Sequence, residues 1–314
     1  MGILGLDQVE LDAAELALDA GRILFKYFAH PGDPINNLGV DYKNAAKTDP
    51  VTIADTEIQD YLTAEISKRH PSHGIVGEEG AANGGVAPDM VWVLDPLDGT
   101  RNFLHGLPAF ACSIGVLHQG SIVAGAVFIP WPGMDTGIVL HASRGSGAKI
   151  DGKAFATPVI KAADPAGIMT LPGSFSSMFK FEDGFASRSG ELRMAGSIAY
   201  ELSLVALGIT QYAVISGAHL WDIAGGLAVV MESGGGARKR VKLPIGDRLI
   251  GSTSPWGQIG ALVNSSESGD FKYEEFRKYT PPILVASNSI IGELSANTRP
   301  KDMGIKGVTG SIFR

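Results

Sequence analysis

Two aspartates stand close together in the stretch "MVWVLDPLDGTRNF" (90–103), just after an apolar run, and a Gly-Thr pair follows at once. One acid at a strand end is ordinary. Asp95 and Asp98 with Gly99 and Thr100 behind them suggest a site for something charged: a metal, a phosphate, or both. Further acids occupy similar settings. Glu78 and Glu79 close "VGEEG", Asp222 opens "WDIAGG", and Asp55 lies in "TIADTE". These are hard oxygen donors with no matching His or Cys cluster, a set that favours Mg²⁺, Mn²⁺ or Ca²⁺ over zinc. The alternating acids of a calcium-sensor loop are missing.

Pro96 fixes its own φ and removes an N–H, which is expected to stop the strand and turn Asp95, the Leu97 carbonyl and Asp98 toward one point. Gly99 and Thr100 would then open a helix whose free N–H groups favour an anion. Metals and N–H groups together grip a phosphate, and a carboxylate shared by two ions about 4 Å apart is the arrangement used for phosphoester hydrolysis. Taken singly, each acid reads equally well as a helix cap or solvated charge. Together they say more, because three acid clusters each end a predicted element beside a glycine.

Positioning these groups is the work of two unlike halves. Apolar residues at helical spacing over 9–28 (Leu11, Ala14, Leu18, Ile23, Leu24, Phe28) predict a first helix, and Ile53, Ile58, Leu62 and Ile66 a second starting near Thr52. Short apolar runs at "IVGEEG" and "MVWVL" predict buried strands. "FACSIGVLHQG" and "SIVAGAVFIP" predict a hairpin turning at Gln119-Gly120, with "GIVLHAS" a further strand. Beyond residue 160 helix and strand alternate: a Ser-capped helix at 197–208, a strand at "QYAVIS", a helix from "WDIAGG", a strand at "PPILVASN" and a final helix. The boundary is set at 1–160 and 161–314. The stretch 241–280 is the least regular and is expected to be an excursion.

Composition narrows the classes. The chain has 314 residues, 45% of them hydrophobic and 19% charged, with a net charge of -7. That suits a large packed core and argues against disorder or a broad basic nucleic-acid surface. The single cysteine, Cys112, lies in an apolar segment and is expected to be a small buried hydrophobe. No signal-like N-terminus, no Ser or Thr at position 6, which is Leu6, and no long apolar run are seen. A cytoplasmic protein with no membrane or nucleic-acid partner is expected.

In order along the chain, "GEE" (77–79), "DPLDGTRNF" (95–103) and "WDIAGG" (221–226) resemble the signature motifs of the inositol monophosphatase family, Mg²⁺-dependent, lithium-sensitive phosphatases. The resemblance extends to "KTDPVTIAD" (47–55), "AGSIAYELSLVALG" (195–208) and "ILVASN" (283–288). It implies an α/β (α+β) fold, the layered αβαβα sandwich of the inositol monophosphatase and fructose-1,6-bisphosphatase type, and a homodimer acting on a small phosphorylated metabolite. It implies two to three Mg²⁺ ions, with Mn²⁺ as a substitute. Glu78, Asp95 and the Leu97 carbonyl would hold the first, with Glu78 also near a weaker one. Asp95, Asp98 and Asp222 would hold the second. Thr100 and Asp55 would orient and deprotonate water, and the amides of Gly99 and Thr100 would hold phosphate. Asp98, Ser197 and Asp222 would touch the substrate, and Lys47 matches a family lysine near the metals.

Some positions depart from the inositol-cleaving pattern. Ile215 stands where a glutamate contacts inositol hydroxyls, and Arg101 where a small hydroxyl residue is usual. Bisphosphorylated nucleotides such as a 3'(2'),5'-bisphosphate, fructose 1,6-bisphosphate or histidinol phosphate are therefore alternative substrates. A haloacid-dehalogenase-type mechanism needs Asp-x-Asp, whereas the spacing here is Asp-x-x-Asp. A catalytically silent metal- or phosphate-binding module is the remaining alternative.

Overall fold

A computed structural model describes residues 5–28, 39–43, 46, 50–80, 84–241 and 255–301. Lys47 and part of the 241–280 stretch lie outside them. The helical period at the N-terminus becomes α1 (Leu6–Tyr27). Its buried stripe is Val9, Ala13, Leu16, Ala17, Ala20 and Leu24, and Leu11 is 57% exposed, so the face differs from the one that Leu11, Ala14 and Leu18 suggest. The small alanines explain this: they let the helix lie close on the sheet, where hydropathy alone favours the larger Leu11. A two-residue ladder, β1 (Asp41–Tyr42) with β2 (Pro50–Val51), precedes α2 (Ile53–Arg69). Thr52 caps α2, accepting from the Asp55 N–H, while the Asp55 carboxylate accepts from the Thr52 N–H, a reciprocal capping box.

The first sheet has seven strands in the order β3 (Gly74–Gly77), β4 (Met90–Asp98), β5 (Ala111–His118), β6 (Ser121–Trp131), β7 (Met134–Ser143), β8 (Ala148–Ile150) and β9 (Lys153–Phe155). Gln119 and Gly120 both have positive φ, 47° and 73°, as the tight turn between β5 and β6 demands. Strand β4 alternates sides, with Trp92 and Leu94 facing α1 and α2 while Val91 and Val93 face the opposite layer. The break expected at Pro96 is a bulge instead. β4 runs on to Asp98, and Asp95 pairs with Ser113 while Asp98 pairs with Ala111, so two residues of β4 oppose one of β5. Pro96 offers no N–H to a ladder, and the bulge absorbs that loss.

After β10 (Ile168–Thr170) come α4 (Phe175–Met178), β11 (Phe179–Phe181), α5 (Asp183–Ala186) and β12 (Glu191–Arg193). Then follow α6 (Ile198–Ala206), β13 (Tyr212–Ile215), α7 (Leu220–Glu232), β14 (Gly235–Arg240) and β15 (Trp256–Gln258). The described chain ends with α8 (Tyr273–Phe276), β16 (Ile283–Ser287), α9 (Asn288–Asn297) and β17 (Thr298–Pro300), which pairs with β11. The second sheet is mixed, in the order β12-β10-β13-β16-β14-β15. Helices α6 and α7 touch both sheets, α1 and α2 cover the outer face of the first, and α9 covers the second. The layers are therefore α, β, α, β, α, an α+β sandwich.

One ionic contact pins α1 to the first sheet. Glu10, 2% exposed, accepts from Lys149 Nζ at 2.7 Å, His141 Nδ1 at 2.8 Å and Ser143 Oγ at 2.6 Å. The Gly152 N–H donates to His141 Nε2 at 3.3 Å, which requires a neutral ring carrying its proton on Nδ1. Burial likewise pushes His141 below its usual pKa. Although burial opposes ionisation of Glu10, Lys149, Ser143 and His141 together hold it below the usual carboxylate range.

Candidate active site

The parallel pairing of β3 with β4 sets Gly77 beside Leu94. The Glu78 N–H then donates to the Leu94 carbonyl at 2.9 Å, which places Glu78 next to Asp95. Asp95 is 1% exposed, and its partner on β5 is Ser113. The Ser113 hydroxyl donates to the Trp221 carbonyl at 2.9 Å, bringing the next residue, Asp222, to the same place. Close packing makes this possible. A Cβ on Gly225 would lie 2.8 Å from Ser113 Oγ, and one on Gly226 would lie 2.7 Å from Leu202. The two glycines of "WDIAGG" thus let α7 sit down on the first sheet and against α6. Asp222 also caps its own helix, accepting from the His219 N–H at 2.8 Å.

Asp98 is turned toward α6. Its Oδ2 accepts from Ser197 Oγ at 2.8 Å and from the Ala199 N–H at 2.5 Å. Ser197, 1% exposed, also accepts from the Tyr200 N–H, so its hydroxyl both caps α6 and holds Asp98. Gly99 at φ 92° swings the chain out of β4 into α3 (Thr100–Leu104). With five residues that helix has little dipole, so an anion near Gly99 and Thr100 would rely on the N–H groups themselves. Thr100 Oγ1 lies 3.0 Å from the Leu97 carbonyl and 3.4 Å from Asp55 Oδ1. Asp55 also accepts from the Thr52 N–H at 2.8 Å and the Thr52 hydroxyl at 2.5 Å.

Electrostatics sets these acids apart. Burial raises Asp95 well above the usual carboxylate range, and Glu78, Asp98 and Asp222 add to the rise. Asp98 is raised by burial and by Asp222, against the pull of Ala199 and Ser197. Burial pushes Asp222 up to about 7 against the His219 N–H, with Glu78 adding to the rise. Asp55 is also pushed up to about 7 by burial, with Glu79 and Glu78 contributing, against its bonds to Thr52. Like charges taken out of water need a proton or a cation.

Among the described residues, no three His, Cys, Asp or Glu side chains are already arranged to hold a metal ion. The expected metal set is gathered but not opened as a coordination shell. Its partners explain why: Asp95 is hydrogen-bonded to Glu78 and to Asp222, Glu78 faces Lys43, and Asp98 is bonded to α6. The donor chemistry nonetheless fits divalent cations. These are hard oxygens, their protons are exchangeable, and Lys43 already stands in as a cation, 2.7 Å from Glu78 and in contact with Glu79. The carboxylates of Glu78 and Glu79 hold the Lys43 ammonium above its usual range although burial opposes this.

Several contributors carry little sequence signal. Lys43 lies in an irregular stretch, "DYKN". Asn102, inside the quoted motif, donates to the Ala109 and Ala195 carbonyls at 2.6 Å each and ties the motif to the loop before α6. Arg277 and His219 reach the site from 271–280 and the start of α7. Ile215 faces the middle layer in the core, and its neighbour Ser216 shares a 3.0 Å hydroxyl contact with Ser174. Arg101 is exposed.

Known proteins share this frame. Residues 6–242 match the sequence model of the inositol monophosphatase family. An inositol-1-monophosphatase of Mesorhizobium japonicum is 36% identical over 229 residues, covering 70% of this chain and 81% of its own. A fructose-1,6-bisphosphatase/inositol-1-monophosphatase of Thermotoga maritima is 34% identical over 197 residues, covering 62% and 72%. The crystal structure of extragenic suppressor protein suhB from Bartonella henselae superimposes with a TM-score of 0.66 at 26% identity, covering 92% of this chain and 97% of that one. With a match across most of its length, the chain belongs to the inositol monophosphatase family and is a phosphoric monoester hydrolase.

Proposed function

We propose that the protein is a Mg²⁺-dependent phosphatase of small phosphomonoesters. The observation that carries this is the meeting of half-buried Glu78 and Asp222 with buried Asp95, with Thr100 and Asp55 beside them. Glu78, Asp95, the Leu97 carbonyl, Asp98 and Asp222 would hold two to three ions. A divalent ion bound there supplies Lewis acidity, making water acidic near neutral pH and offsetting charge on phosphate oxygens.

The protein's own groups do the rest. Asp55, pushed up to about 7, can take and return a proton near neutral pH. The Thr100 hydroxyl donates a hydrogen bond to the Leu97 carbonyl or to Asp55, which leaves its oxygen free to accept from and orient water. The Gly99 and Thr100 amides would hold the phosphate. On this reading residues 1–160 supply most of the site and 161–314 its last carboxylate and the substrate pocket.

For the substrate, Ile215 favours something other than an inositol phosphate. It packs in the middle layer, and a pocket built to hydrogen-bond a hydroxyl loses much where its partner is apolar. Bisphosphorylated nucleotides, fructose 1,6-bisphosphate and histidinol phosphate are the alternative candidates beside an inositol monophosphate, and the Thermotoga relative's name includes both a fructose-1,6-bisphosphatase and an inositol-1-monophosphatase activity. Inhibition by millimolar lithium and a homodimer are further expectations. Phosphate release across phosphomonoesters and bisphosphates, with Mg²⁺ and with chelator, tests the proposal. Release that persists in chelator, or none from any substrate with Mg²⁺ or Mn²⁺, would overturn it.

A further inference from the structure

The irregular stretch after residue 255 lies against both halves of the acid cluster. At one end the Ala87 N–H donates to the Phe271 carbonyl at 2.7 Å, the Tyr273 N–H donates to the Gly85 carbonyl at 3.2 Å, and Val86 bridges Lys272. At the other end the N–H and hydroxyl of Thr280 donate to the Ala218 carbonyl at 2.8 and 3.0 Å. Residues 271–280 therefore form a strap from the loop before β4 to the loop before α7.

Arg277 sits in this strap. Its Nη1 donates to the Gly77 carbonyl at 2.9 Å, across 200 residues of sequence. Its guanidinium carbon lies 5.4 Å from the Trp221 ring centre, and its carbonyl accepts from His219 Nδ1 at 3.0 Å. His219 in turn stacks on Trp221 at 4.4 Å. Gly77 immediately precedes Glu78, and Trp221 immediately precedes Asp222. One guanidinium thus touches two of the three segments that present acids to the cluster, at the Gly77 carbonyl and the Trp221 ring.

The position of β3 makes this contact matter. Among the described residues β3 ends the strand order of its sheet, with β4 as its neighbour. The end of a strand at a sheet edge frays more readily than one in the middle, and a side chain mounted there loses its fixed place. Arg277 supplies to the Gly77 carbonyl the hydrogen bond that a neighbouring strand would otherwise give. Its flat guanidinium can donate in its plane while stacking on Trp221, which an ammonium cannot do.

We infer that Arg277 is a positioning residue for divalent-ion binding: it ties the Glu78 end of β3 to the start of α7 and so sets where Glu78 stands relative to Asp222. This rests on the metal-dependent phosphatase reading. The test uses full-length Arg277→Ala, Arg277→Lys and Lys278→Ala, with thermal unfolding measured as a function of Mg²⁺ beside phosphate release. Lys278 pairs with Glu275 at 2.5 Å and serves as the neighbouring control.

Half-maximal stabilisation is expected to need about tenfold more Mg²⁺ in Arg277→Ala. Arg277→Lys should fall between Ala and wild type, and Lys278→Ala should match wild type. A purely structural role would lower the metal-free unfolding temperature and leave the Mg²⁺ midpoint in place. Such a result, or an Arg277→Lys midpoint equal to wild type if the Ala variant does not fold, would overturn the inference. A wild-type protein that neither gains stability from Mg²⁺ nor releases phosphate would instead overturn the phosphatase reading beneath it.

Discussion

Glu10 and Asp95 are both buried carboxylates, 2% and 1% exposed, yet the protein treats them in opposite ways. Glu10 is surrounded by donors: an ammonium, a hydroxyl and an imidazole N–H meet its two oxygens. Its charged form is favoured, and its pKa lies below the usual range. Asp95 accepts the Leu97 N–H at 3.1 Å but otherwise faces Glu78, Asp98 and Asp222, and burial and these acids raise its pKa well above that range. The difference shows that burial alone does not decide the fate of a carboxylate. A buried acid with matched donors holds the fold together. A buried acid among acids has more negative charge than its counter-ion offsets, and where hard oxygens converge that excess marks a site for chemistry.

Removing one charge from each region should have opposite consequences. Asp95→Asn should cut Mg²⁺-dependent phosphate release by about a hundredfold or more. It should leave metal-free stability unchanged or higher, because the amide is neutral without having to bind a proton on folding. Asp222→Asn should act similarly, since an Asn can still accept from the His219 N–H. Wild-type-like turnover in either variant would show the acid cluster to be something other than the reaction centre. Glu10→Gln should lower stability by about 3 kcal/mol, through the broken pairing with Lys149, and leave the Mg²⁺ midpoint unmoved. Calorimetry reads the first and a Mg²⁺ titration the second.

The pH dependence separates the regions further. Asp55 and Asp222 rise from 3.8 to about 7 in the folded protein. Between about pH 4 and 7 the metal-free fold holds protons that the unfolded chain has released, so stability should fall as pH rises through that window. Glu10 has the opposite sign. Its folded pKa is depressed, so its contribution is present above the unfolded value of 4.5 and lost as pH falls through the folded one. Metal-free unfolding temperatures that climb steadily from pH 5 to 7 would break the contrast. Saturating Mg²⁺ should flatten the neutral-side slope only.

The smallest effect concerns Lys43, the cluster's own counter-ion. Lys43→Met should lower metal-free stability by about 1 kcal/mol or less, given its partial exposure. The loss should shrink when Mg²⁺ is saturating. An equal loss with and without Mg²⁺ would mean that Lys43 is only a structural pair.

Much of this was legible in sequence, and the limits are instructive. The hairpin at Gln119-Gly120, the helix start near Thr52, the cap at Ser197 and the strand at 283–287 follow from local rules, because turn conformations and cap bonds involve neighbouring residues. The bulge between Asp95 and Asp98 was harder to foresee, because Pro96 announces a disturbance whereas the pairing with β5 decides its form. The exposed Leu11 shows the same limit: hydropathy names a helix, and the shape of the sheet beneath α1 chooses the face. Ser197 kept its predicted cap, yet only packing shows its hydroxyl donating to Asp98.

By itself the sequence determined the candidate donors, their hard-oxygen chemistry and the family to which the motifs point, because residue type fixes what an atom can bind. Tertiary structure alone decided which acids meet, that Ile215 faces the core, and that Lys43 and Arg277 reach the site. Those facts depend on distances between segments far apart in the chain, which strand register and helix packing set and local spacing does not encode.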